Sequence, residues 1–246
     1  MVTLRCNTKD FHNIQAVLFD KDGTLADSYE FLRSLGQKRS RLIDAQIPGV
    51  QEPLLMAFGI DNSNMNPAGL LAVGTRIENE IAAAAYVAET GRDWIESLNI
   101  VRNAFEEADR YMNSKAEQTP LFEGAIDLLM QLSHAGLKLG ILSSDTTPNV
   151  NEFVNHYRLE SLVQLQMGVD KGPAKPDPRL ADRACKALMV SPQTTLLIGD
   201  SQADIQLAHA AKMAGCIGVT WGWSRSIDLT QADVLANQCS DIRIVC

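Results

Sequence analysis

The run Ala16-Val17-Leu18-Phe19-Asp20-Lys21-Asp22-Gly23-Thr24 joins four apolar residues directly to two carboxylates and a glycine. Such a junction predicts a buried strand that delivers charge to the edge of a sheet. Two aspartates one residue apart do little for a fold, because aspartate is depleted in strands and neighbouring anions repel unless a cation lies between them. A hard divalent ion such as Mg2+, which prefers carboxylate oxygens and water, is the natural partner. Taken alone, the same residues also read as a solvated Asp-Gly turn.

Residues 28–118 differ in character from what surrounds them. Ser28 is placed to cap a helix that carries Phe31, Leu32, Leu35, Leu42 and Ile43 at helical spacing. Thr75 to Thr90 holds Ile77, Ile81, four consecutive alanines and Val87, a strong helix former with a small-residue face. Asp93 to Lys115 repeats the pattern with Trp94, Leu98, Val101, Phe105, Tyr111 and Met112. Loops are expected at Ile47-Pro48-Gly49 and Asp61-Asn62-Ser63-Asn64, and no strand is expected inside the block.

From about residue 120 strands and helices alternate. The pattern predicts helices over 124–135, from Thr147-Pro148 onward, 177–189 and 203–214, and strands over 137–142, 162–167 (the weakest), 195–198 and 216–220. Alternation of this kind implies a parallel sheet with right-handed crossovers. The helical block is then an insertion, with residues 1–27 and 119–246 forming an α/β core and 28–118 an all-helical domain. The tail beyond about 224, with Trp223 just before it and Ala232-Asp233-Val234-Leu235 within it, reads as a closing helix and an edge strand.

Composition narrows the function classes. A chain of 246 residues with 46% hydrophobic and 21% charged residues is that of an ordinary globular protein with room for a substantial core. A formal net charge of −8 argues against nucleic acid or an anionic membrane as partner, and Lys38, Arg39 and Arg41 read as a solvated helix face. No membrane span or signal-peptide apolar region is expected. Five dispersed cysteines and four scattered histidines make neither a disulfide framework nor a zinc site, and they predict a reducing, cytoplasmic setting.

Three further strand ends compare with the first: Ser143-Ser144-Asp145 after Leu142, Gly199-Asp200-Ser201-Gln202-Ala203-Asp204 after Ile198, and the loop Lys175-Pro176-Asp177-Pro178 between them. Loops at the C-terminal ends of parallel strands converge on one crevice. Singly, Ser143 reads as a turn, Lys175 as a surface charge, Asp200 as a helix cap and Asp204 as a first-turn acid. In this order and spacing the set resembles the haloacid dehalogenase superfamily of hydrolases: DxDGT at Asp20 to Thr24, a strand-end serine at Ser143, Lys175 before Pro176, and GDSxxD at Gly199 to Asp204.

The resemblance implies a Rossmann-like core with the first strand central, the strand of Asp200 beside it, and residues 28–118 as a C1-type cap. It implies Asp20 as nucleophile, Asp22 as general acid and base, and Ser143, Ser144 and Lys175 as phosphate contacts. Mg2+ would be held by Asp20, Asp200 and the backbone carbonyl of Asp22, with Asp204 acting through water or behind the first ligands. Asp22 separates this pattern from the family's dehalogenases and phosphonate-cleaving members, which lack it. The expectation is therefore a Mg2+-dependent phosphatase of a small phosphorylated metabolite, akin to those acting on phosphoglycolate, sugar phosphates or nucleotides. A phosphomutase and a non-catalytic binding protein are the alternatives. Arg76, Arg92, Arg102 and the loop Phe58 to Asn66 are candidate substrate contacts, and Lys171 is a second candidate for the lysine role.

Overall fold

The structure is a computed structural model that describes residues 2–61, 64–112, 114–170, 172–225 and 227–245. Lys171, Asn62 and Ser63 of the expectations above, with Met1 and Cys246, lie outside the described residues. In chain order the elements open with strands β1 (Val2–Cys6), β2 (Lys9–Ile14) and β3 (Ala16–Phe19). Next come α1 (Tyr29–Asp44), α2 (Gln51–Phe58), β4 (Ile60–Asp61), β5 (Asn64–Met65), α3 (Leu70–Val73), α4 (Arg76–Glu89), α5 (Trp94–Tyr111) and α6 (Lys115–Gln118). The remainder is α7 (Ala125–His134), β6 (Lys138–Leu142), α8 (Thr147–His156), β7 (Leu165–Met167), α9 (Pro178–Leu188), β8 (Thr195–Gly199), α10 (Gln202–Ala210), β9 (Gly215–Val219), β10 (Val234–Ala236) and β11 (Ile242–Val245). Two compact units result, Met1–Asp27 with Thr119–Cys246, and Ser28–Gln118.

The first unit is built on a six-stranded sheet of order β10-β9-β8-β3-β6-β7. Its pairings are all parallel, as alternating strands and helices require. β3 is buried at all four positions and lies between two neighbours, with Phe19 level with Ile141 of β6 and Ile198 of β8. Leu18, Leu142, Leu180, Ala184, Leu197, Ile205 and Cys216 belong to one buried cluster that packs α9 and α10 against the sheet.

The N-terminal segment departs from expectation. β1 and β2 form a hairpin and, with β11, an antiparallel sheet of order β11-β1-β2. In β2 only Phe11 and Ile14 are buried, so Lys9-Asp10-Phe11-His12-Asn13-Ile14 carries too weak a period to announce a strand. The expected edge strand of the tail is β10 beside β9, but no α-helix closes the chain among the described residues. The cap of α8 is Thr146, whose hydroxyl accepts from the Asn149 amide, so Thr147 is the first helical residue.

Among its described residues the second unit is helical except for a two-residue antiparallel ladder, Ile60 opposite Met65, which was not expected. Its helices bury only part of the apolar pattern. Ala83, Ala84 and Val87 of α4 and Ser97, Val101, Ala104, Phe105 and Ala108 of α5 are the buried faces, whereas Ile77, Ile81, Trp94 and Tyr111 are exposed. Small side chains let the two helix backbones approach, and this outweighs the larger residues on other faces. Arg39 is buried with its guanidinium 4.1 Å from the centre of the Phe105 ring, and so is not part of a solvated face.

Candidate active site

The turn after β3 is held by its own backbone. The Asp20 amide donates to the Ile198 carbonyl at 2.9 Å, continuing the ladder one residue past the strand. The Lys21 carbonyl then accepts from the amides of Leu25 and Ala26, both at 2.9 Å, and the Gly23 amide donates to the Ala26 carbonyl at 2.9 Å. Gly23 sits at a φ of +86°, in the left-handed region that glycine adopts without strain.

Three carboxylates meet beside this turn. Asp20, Asp200 and Asp204 are all buried, and each offers an oxygen within 4.8 Å of the others. The Lys175 ammonium lies 2.5 Å from Asp20 Oδ1 and 2.7 Å from Asp204 Oδ1. Asp200 Oδ1 accepts from the Thr24 hydroxyl at 2.8 Å, and Oδ2 accepts from the Trp223 indole N–H at 2.5 Å. Asp204 is also the capping-box acid of α10, its Oδ2 accepting from the Ser201 hydroxyl at 2.6 Å. The two oxygens of this one side chain thus serve the first turn of α10 and the contact with Lys175.

Burial raises the Asp20 carboxyl above its ordinary range, with Lys175 working against that shift. The Asp200 carboxyl is held well above the ordinary range by burial first and then by the charges of Asp20 and Asp204. Burial on its own would lower the Lys175 ammonium, but Asp20 and Asp204 outweigh it and the net shift is upward. One ammonium among three buried carboxylates leaves negative charge uncompensated. The all-oxygen donor set and its excess charge fit a hard divalent cation such as Mg2+.

The Asp22 carboxylate is not one of this trio, although its charge also raises Asp20, and it belongs to a second ion cluster. The buried Lys21 ammonium donates to Asp22 Oδ1 at 2.7 Å and Oδ2 at 2.8 Å, and lies 3.3 Å from Asp145 Oδ2. Ser143 is buried just past the end of β6, its hydroxyl accepting from the Asp145 amide at 3.1 Å, and Ser144 follows it, half-buried. Lys175 and the two strand-end aspartates are therefore in direct contact or mutual reach, while Ser143, Ser144 and the Asp22 carboxylate occupy the neighbouring strand end and turn. Arg76, Arg92 and Arg102 each make ion pairs inside the helical unit, with Glu80 and Asp109, Glu96, and Glu80 respectively. Lys21, Trp221 and Trp223 were not anticipated as parts of the site; of these, only Lys21 carried a local signal, a lysine between two acids.

A family model described as haloacid dehalogenase-like hydrolase matches residues 14–212, which span Asp20 to Asp204. The chain belongs to the haloacid dehalogenase-like hydrolase family. The phosphoglycolate phosphatase of Escherichia coli (strain K12) is 30% identical over 240 residues, covering 94% of this chain and 92% of that protein. The corresponding protein of Salmonella choleraesuis (strain SC-B67) is 28% identical over 236 residues, covering 94% and 91%. Among solved structures, a predicted phosphoglycolate phosphatase from Haemophilus somnus 129PT superposes with a TM-score of 0.70 at 20% identity, over 93% of this chain and 96% of its own. This haloacid dehalogenase-like hydrolase has no helix among the described residues that is long and apolar enough to cross a membrane.

Proposed function

We propose that this hydrolase removes phosphate from small phosphomonoesters, with bound Mg2+ and through an aspartyl-phosphate on Asp20, and that 2-phosphoglycolate is its leading substrate. The observation that carries the reading is the Lys175 ammonium held between Asp20 and Asp204 inside a buried, under-compensated carboxylate cluster. The substrate is argued from relatives named phosphoglycolate phosphatase that match over nearly the whole chain. Asp20, Asp200 and the backbone carbonyl of Asp22 are the proposed Mg2+ ligands, with Asp204 anchoring from behind or through water. When bound, Mg2+ supplies the positive charge that lets a dianionic phosphate approach a carboxylate.

The chain's own residues supply the remaining steps. Asp20 attacks phosphorus and becomes phosphorylated. Asp22 protonates the departing oxygen and then takes the proton of the water that cleaves the acyl phosphate. The contact of Lys21 with both Asp22 oxygens sets where that carboxylate rests. Lys175 offsets the charge shared by Asp20 and the incoming phosphate. The Ser143 hydroxyl, already accepting from the Asp145 amide, has its proton to donate to a phosphoryl oxygen, with Ser144 beside it. Residues 28–118 act as the cap that selects the substrate. The described cysteines are free and buried, which suits a reducing cytoplasm.

Release of inorganic phosphate from 2-phosphoglycolate tests the reading. The expected result is Mg2+-dependent release that excess EDTA stops and Asp20→Asn abolishes. No release by the wild-type protein from any member of a broad phosphomonoester panel would overturn it. Conversion of a sugar 1-phosphate to its isomer without free phosphate would move the reading to a mutase.

A further inference from the structure

We propose that Trp223 is a positioning residue for Asp200, its indole N–H fixing the carboxylate and thereby setting the affinity for Mg2+. The proposal rests on the Mg2+ reading above. Trp223 lies in the loop after β9, beyond the residues that the family model matches.

The local geometry is built around this bond. The indole Nε1 lies 2.5 Å from Asp200 Oδ2, while the Thr24 hydroxyl is 2.8 Å from Oδ1. Each carboxylate oxygen has a second lone-pair direction, so both donors are satisfied without using up the sites a cation needs. The loop that carries the indole is itself pinned to the nucleophile turn. The Trp221 indole N–H donates to the Thr24 carbonyl at 3.0 Å. A Cβ on Gly222 would fall 1.9 Å from the Gly23 carbonyl oxygen, so only glycine allows the two backbones to lie this close. A Cβ on Gly23 would fall 2.5 Å from Asp200 Oδ2 and 2.6 Å from Trp223 Nε1, in the path of the bond.

An aspartate held at both oxygens has already given up its rotamer freedom, so the cation does not have to order it. Hydrogen-bond partners behind metal ligands work this way, and losing one costs on the order of 10–100-fold in metal affinity. Phenylalanine at 223 keeps an apolar ring and removes only the donor, which separates orientation from packing.

Isothermal titration of the full-length protein with MgCl2 alone tests the assignment. Trp223→Phe is expected to weaken Mg2+ binding by about tenfold or more. Trp94→Phe, which alters an exposed indole of the helical unit, is expected to match wild type. Equal affinity for wild type and Trp223→Phe would overturn the proposal and leave the Mg2+ reading standing. Absence of Mg2+ binding by wild type would remove both. Should Trp223→Phe fail to fold, the assigned indole N–H resonance of Trp223 in wild type decides. A hydrogen-bonded downfield position that moves on Mg2+ addition supports the role, and a resonance that Mg2+ leaves in place would sink it.

Discussion

The strand-edge cluster and the arginine network of the helical unit are both dense in charge, yet they are built oppositely. In the helical unit Arg39, Arg76 and Arg102 face Asp109 and Glu80, with Arg39 to Asp109 at 3.3 Å, Arg76 to Glu80 at 2.8 Å and Arg102 to Glu80 at 3.5 Å. The Arg102 and Asp109 side chains are 55% and 40% exposed, so water screens whatever the pairing leaves over. At the strand edge Lys175, Asp20 and Asp204 are nearly shut off from water, at 3%, 12% and 0% side-chain exposure, and the carboxylates outnumber the ammonium. Charge that is both buried and unbalanced is costly to fold around, and a structure keeps it where a ligand completes it. Arg39 and Glu80 are buried as well, at 8% and 11% side-chain exposure. The contrast therefore lies in the exposed members of the network, Arg102 and Asp109, which the strand-edge cluster lacks.

Breaking the buried cluster should have the largest effect. Lys175→Met leaves three carboxylates without their cation, and phosphate release should fall by about 10²–10³-fold. In EDTA the variant should also lose about 3–5 kcal/mol by denaturant midpoint, the range for breaking a buried ion pair. Full activity in Lys175→Met would reassign the lysine role and reopen the case for Lys171.

Proton binding sharpens the same contrast. The folded-state Asp200 carboxyl lies well above its ordinary 3.8, so the folded chain retains a proton that the unfolded chain releases. Stability contributed this way is present below the ordinary pKa and is lost as pH rises through the raised one. The unfolding midpoint in EDTA should therefore decline as pH rises above the ordinary carboxyl value of 3.8, and saturating Mg2+ should flatten that decline. A profile identical with and without Mg2+ would mean that the cation does not bind the cluster. The smallest effect belongs to the helical unit, where Arg102→Ala should cost less than about 1 kcal/mol by thermal or chemical unfolding. A loss as large as that of Lys175→Met would show the two networks to be energetically alike.

Where the chain announced its structure, it did so through short-range pattern. The four strand ends that carry Asp20, Ser143, Lys175 and Asp200 could be read because each is an apolar run or helix start that changes abruptly to polar residues. The central place of β3 was implied by the family resemblance, and the sheet order agrees. The β1–β2 hairpin was silent because half its residues face solvent and its pairing with β11 joins the two ends of the chain. The small-residue face expected of residues 75–90 is the one that is buried, through Ala83, Ala84 and Val87, while Ile77 and Ile81 are exposed.

By itself, then, the sequence pointed to the alternating strands and helices that follow residue 120, and from local composition and spacing it proposed the insertion of residues 28–118 and the acids and lysine of the site. Only the tertiary structure decided that Lys175 bridges Asp20 and Asp204, that Lys21 holds Asp22, and that Trp223 and Thr24 grip Asp200. Thr24 and Asp200 are 176 positions apart. Contacts of that kind arise from strand order and loop closure over a shared sheet edge, and neighbouring residues in the chain carry no trace of them.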